Sequence, residues 1–96
     1  MSITFHIPGP LRQFTGGLSR VAVGDLEVSP IRLADALNAL WALYPGVRDR
    51  IVTEQGQVRE HINLFVGSES VRDSEGLATP VPDGTEVSIV PAISGG

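Results

Sequence analysis

Cysteine is missing altogether from this 96-residue chain. That one absence removes disulfides, thiolate nucleophiles, persulfides and cysteine-ligated zinc or iron–sulfur sites together. Any sulfur chemistry must proceed without a side-chain thiol. Lysine is absent too: all seven basic residues are arginines, so the chain has no lysine of its own on which to receive an isopeptide bond. Against eleven acids these arginines leave a net charge of −4, spread along the chain rather than gathered in a block. Nucleic acid is thereby disfavoured as the main partner, because phosphate binding depends on a cationic face. No apolar run approaches the length that crosses a bilayer, so no membrane span is expected. The opening MSITFHIPGP lacks a basic leader followed by an apolar stretch, which points to a cytoplasmic location.

What is present suffices for one small domain with one core, since a second unit would have to share a limited supply of buried surface. Ile3–Ile7 alternates apolar and polar residues, placing Ile3, Phe5 and Ile7 on one face of a half-buried strand. Arg20–Val23 alternates again, and the intervening Thr15-Gly16-Gly17 supplies turn residues for a hairpin with a long loop. From Ser29 the period becomes helical: Ser29 suits an N-cap, Pro30 the first helical position, and Leu33, Leu37, Leu40, Trp41 and Tyr44 form one apolar stripe. The helix is predicted over Pro30–Tyr44, with Pro45-Gly46 ending it and a short turn over Arg48–Val52. His61–Val66 is expected to be a strand with Ile62, Leu64 and Val66 on one face. Glu86–Pro91 is another, with Val87 and Ile89 inward and Pro91 closing it. Between them lies a polar, turn-rich stretch pinned by Val71 and Leu77 and ending in Pro82-Asp83-Gly84. Hairpin, helix, strand, loop, strand is an α+β order, with the final strand expected to lie parallel to the first. The architecture it predicts is a β-grasp: a mixed sheet of four to five strands with one main helix on one face.

Side-chain catalysis finds little support. A Ser/His/Asp set can be picked on paper, but His6 and His61 occupy outward-facing positions, no nucleophile-elbow pattern exists, and a domain of this size has little room for a closed pocket. The two histidines lack the close spacing of metal ligands. Thr15-Gly16-Gly17 has neither the lysine nor the following helix of a phosphate loop and reads as a turn. No cofactor or metal is expected to be bound.

The sequence PAISGG is different. Pro91 is expected to close the folded body, residues 1–91, and to leave 92–96 as a flexible tail ending in Gly95-Gly96. Five extended residues reach at most about 17 Å, enough to enter another protein's active site. Glycine has no side chain to block a narrow channel. A carboxylate accepts a nucleophile once its oxygen becomes a leaving group, which an ATP-dependent partner achieves by forming an acyl-adenylate; sulfur or an amine can then attack.

LATPVPDGTEVSIVPAISGG, from Leu77 to Gly96, resembles the ubiquitin-like β-grasp sulfur carriers, the ThiS/MoaD-like family, in its DG turn, alternating strand, proline and final diglycine. LRQFTGG (Leu11–Gly17) and INLFV (Ile62–Val66) look closest to the branch that feeds sulfur to a cysteine synthase. The resemblance implies that an E1-like enzyme adenylates the Gly96 carboxylate with ATP, that Gly95 and Gly96 thread its active site, and that the product is a thiocarboxylate. In the cysteine branch the thiocarboxylate attacks an activated serine derivative on the synthase, and a metallopeptidase then releases the new cysteine and regenerates the diglycine. The chain would be a protein cosubstrate, not an enzyme, and a monomer when free. Where the molybdopterin synthase small subunit tends toward an aromatic, proline-rich run, this chain has IVPAISGG. That subunit, a sulfur donor for thiamine or secondary metabolites, a ubiquitin-like modifier and a plain β-grasp interaction domain are the alternatives. Phe65 and Val90, on the sheet face away from the helix, with Pro91, Ile93 and Ser94 beside them, are the expected partner contacts.

Overall fold

A computed structural model describes residues 2–24 and 31–91. The strands are β1 (Ile3–His6), β2 (Arg20–Val23), β3 (Ile31–Arg32), β4 (Ile62–Val66), β5 (Glu69–Ser70), β6 (Pro80–Val81) and β7 (Glu86–Pro91). The helices are α1 (Leu33–Leu43) and α2 (Pro45–Ile51). Five strands form one sheet in the order β2-β1-β7-β4-β5, and β3 and β6 form a separate pair. β1 and β7 run parallel with Phe5 opposite Val87, while β1–β2, β4–β7 and β4–β5 are antiparallel. The β-grasp and the parallel pairing of first and last strands are as the sequence predicts.

Alternation decides which face is buried. Ile3 and Phe5 of β1, Val21 and Val23 of β2, Ile62 and Leu64 of β4, and Val87 and Ile89 of β7 all lie in the core, against Leu33, Ala36, Leu37 and Leu40 of α1. A residue spacing of two on the strands and of three or four on the helix brings these side chains together in one apolar layer. Val71 is buried and Leu77 packs against the core, so the two residues expected to pin the long connection do so.

The helix begins later than predicted. Ser29 and Pro30 lie outside the described residues, and Ile31-Arg32 is a strand, with Ile31 opposite Val81 and Arg32 opposite Pro80. Arg32 is extended, and the first free helical amide, that of Leu33, donates to the Thr79 carbonyl at 2.9 Å. The residue just before β6 thus supplies what a capping side chain would otherwise provide. The stop is as expected, since Tyr44 leaves helical geometry and donates back to Leu40. Pro45, however, opens a second helix instead of a turn, because its fixed φ suits the first helical position. Gly46 belongs to that helix and is not a left-handed cap. A Cβ there would sit 3.5 Å from the Phe14 ring, so its smallness serves packing.

The loop between β1 and β2 is more ordered than its composition implies. Gly9–Phe14 forms a short 3-10 turn, and fully buried Thr15 donates its hydroxyl toward the carbonyls of Arg12 and Leu18. Gly16 and Gly17 both have positive φ, confirming Thr15-Gly16-Gly17 as a turn.

Candidate functional site

β7 is a central strand that carries the chain from the Pro82-Asp83-Gly84 turn to Pro91, paired with β1 on one side and β4 on the other. Its inward residues, Val87 and Ile89, anchor it in the core, so Glu86, Ser88 and Val90 face outward by alternation. Phe65 of β4 lies opposite Ser88, and Val90 lies opposite Asn63, which makes Phe65 and Val90 diagonal neighbours on the face away from α1. The structure therefore places both on the expected face. Val90 is 42% exposed, whereas Phe65 is half-buried between Ser88 and Ser70 of the flanking strands. Pro91, opposite Ile62, is half-buried at the end of the ladder. Ile93, Ser94, Gly95 and Gly96 lie outside the described residues.

The same face holds an ion cluster that local sequence patterns do not reveal. Arg20 of β2 donates to Glu86 Oε1 at 2.6 Å, and His6 of β1 donates to Glu86 Oε2 at 2.8 Å. The hydrogen bond from His6, aided by the charges of His6 and Arg20 and opposed by partial desolvation, holds the Glu86 carboxyl below its ordinary range. Each of the three falls on an outward strand position, which was the only available signal. Their meeting needed the strand order.

Two grooves lie toward the end of β7, one beside Val90 and one beside Pro91. One, about 440 Å³, is lined by His6, Arg12, Arg20, Ser88 and Val90 among others; the second, about 310 Å³, by Phe14, Arg50, His61 and Pro91 among others. His61 is exposed just before β4, as an outward histidine should be. Among the described residues there is no group of three or more His, Cys, Asp or Glu placed to hold a metal ion, and no helix is long and apolar enough to cross a membrane.

A five-stranded mixed sheet, with the parallel pair β1–β7 inside it and α1 packed on one face, is the ubiquitin-like β-grasp. The chain belongs to the ThiS family, whose model matches residues 5–96. It is 38% identical over 99 residues to the sulfur carrier protein CysO of Mycobacterium tuberculosis, covering all of both chains. In three dimensions it resembles a chain in the crystal structure of the Amycolatopsis orientalis BexX/CysO complex, with a TM-score of 0.83 and 33% identity over 98% of this chain and 99% of that one. It also resembles SAMP1 of Haloferax volcanii, with a TM-score of 0.82 and 25% identity over the whole of both.

Proposed function

We propose that this chain is a sulfur carrier whose Gly96 carboxylate is converted to a thiocarboxylate, with cysteine biosynthesis as the destination of the sulfur. The observation that carries this reading is the full-length similarity to a sulfur carrier protein, together with a family match that runs through Gly96. A Gly96 carboxylate oxygen attacks the α-phosphorus of ATP on an E1-like partner and releases pyrophosphate. A sulfur nucleophile then displaces AMP from the acyl carbon. The adenylating machinery resides in the partner, and this chain contributes a reactive terminus and a docking body. Phe65, Val90 and Pro91, with Ile93, Ser94 and Gly95 along the tail, contact the partner while Gly96 reacts. Downstream, a cysteine synthase-like acceptor takes the sulfur and a metallopeptidase restores the diglycine.

The test is an intact mass after incubation with the adenylating enzyme, ATP and sulfide. One terminal oxygen replaced by sulfur is expected, while an unchanged mass under conditions that convert a control carrier refutes the proposal. The likeness to SAMP1 supports a second reading, a modifier joined through Gly96 to lysines of other proteins. Under that reading, immunoblots of cell extract contain conjugates larger than the free protein.

A further inference from the structure

Charge on this molecule is distributed against its overall sign. The chain is acidic by four units, yet the groove beside Val90 and the groove beside Pro91 are lined among the described residues by Arg12, Arg20, His6, Arg50 and His61 and by no aspartate or glutamate. Arg20 and His6 reach back to Glu86 at the start of β7, which leaves Arg12, Arg50 and His61 toward its far end. At the other end of β7, the groove beside Thr85 is lined by Glu69 and Glu75 and by no basic residue. The six residues of β7 separate these ends by about 17 Å at the usual rise per residue. The end from which residues 92–96 continue is therefore the electropositive one.

Two of the arginines lining these grooves differ from the third. Arg20 is neutralised by Glu86 at 2.6 Å. Arg12 instead donates Nε to the Ile7 carbonyl at 3.1 Å, and Arg50 lies with its guanidinium carbon 4.9 Å over the Phe14 ring. A carbonyl and an aromatic face fix the position of a guanidinium without cancelling its charge. Both residues are exposed, and neither has a carboxylate partner among the described residues. The result is two oriented cations at the end of β7, Arg12 in the groove beside Val90 and Arg50 in the groove beside Pro91. Holding them costs little further side-chain entropy when a partner's carboxylate arrives.

We propose that Arg12 and Arg50 form a cationic clamp around the tail's point of departure, and that it docks on acidic side chains ringing the mouth of the activating enzyme's tail channel. This deepens the carrier reading and rests on it. Guanidiniums engage carboxylates through paired N–H donors, and a positive end on a negative body orients the carrier tail-first during encounter. An acidic protein rim fits better than a nucleic acid, because the remaining surface of the chain would repel a polyanion.

The experiment measures binding of the carrier to the adenylating enzyme without ATP, across a range of salt concentrations, alongside thiocarboxylate formation with ATP and sulfide. Arg12→Glu and Arg50→Glu should each weaken binding about tenfold and flatten its salt dependence, through slower association. Arg32→Glu, which changes net charge equally but lies in the separate β3–β6 pair, should bind within about twofold of wild type. Arg12→Lys and Arg50→Lys should retain most of the binding and guard against a fold defect in the reversals. Unchanged binding by both reversals, or an equal loss in Arg32→Glu, overturns the clamp. So does a salt-sensitive retention of the wild type on single-stranded DNA that the reversals abolish. Binding that depends on Arg12 and Arg50 without any thiocarboxylate would refute the carrier reading and leave the clamp standing.

Discussion

His6 Nε2 lies 2.8 Å from Glu86 Oε2, across the parallel pair β1–β7 and eighty residues apart in sequence. The contact ties the first strand to the last on the face opposite the core. Because its folded pKa is depressed, Glu86 contributes stability that is present above its unfolded pKa and lost as pH falls through its lower folded pKa. In a carboxyl-detected NMR titration, Glu86 should titrate below its ordinary value of 4.5. His6→Ala should move it upward and diminish the acid-limb loss of stability. A Glu86 titration unaltered by His6→Ala would contradict the assigned cause.

Gly84 tests a different kind of constraint. It has φ of 80°, donates its amide to the Ser2 carbonyl at 3.0 Å, and follows Asp83, whose Oδ1 accepts from the Ser2 amide at 2.8 Å. No atom lies within 4 Å of where a Cβ would project, so Gly84→Ala adds no clash. The substitution should cost about 1–2 kcal/mol from the left-handed backbone alone. Urea denaturation measures this, and a neutral result would mean that the turn relaxes.

Leu40 is fully buried in α1 beneath the sheet. Leu40→Ala should lose about 2–5 kcal/mol through lost transfer free energy and the cavity left behind. For a domain whose total stability is of the order of 5–15 kcal/mol, that loss is severe, and the melting temperature should fall accordingly.

Val90 and Gly96 should separate function from stability. Val90 is exposed on the outer face, so Val90→Asp should cost about 1 kcal/mol or less of stability, the span of strand propensity. It should nevertheless weaken binding to the activating enzyme several-fold. Deletion of Gly96 should leave the thermal melt unchanged and abolish thiocarboxylate formation in the intact-mass assay. A truncated chain that still gains sulfur would place the reactive carboxylate elsewhere.

The elements legible beforehand were those with a period long enough to repeat. β4 and β7 each alternate over five or six residues, and the Leu33–Leu37–Leu40 stripe covers two turns, so the buried face of each followed from spacing. β3 and β6 have two residues apiece, too few for any period, and Ile31 reads equally well as the start of a helix. Val81 decides otherwise, because pairing with it buries Ile31 and lets the Thr79 carbonyl satisfy the Leu33 amide. Likewise, a proline-glycine pair marks the end of one helix without saying whether another begins. Phe14, packed on Gly46, comes from a distant loop.

By itself, then, the sequence determined the chemistry on offer: no thiol, no lysine, four alternating strands and a helix with one greasy face each, and a diglycine after Pro91. These are properties of residue types and of neighbours a few positions apart. Only the tertiary structure decided which charges meet. Glu86 is neutralised because β7 inserts beside β1 and brings it to His6 and Arg20. Arg12 and Arg50 are held by a carbonyl and an aromatic ring, with no carboxylate partner among the described residues. Coulomb interactions depend on distance in space, and no spacing along the chain encodes that Arg12 and Arg50 both come to the Val90–Pro91 end of β7.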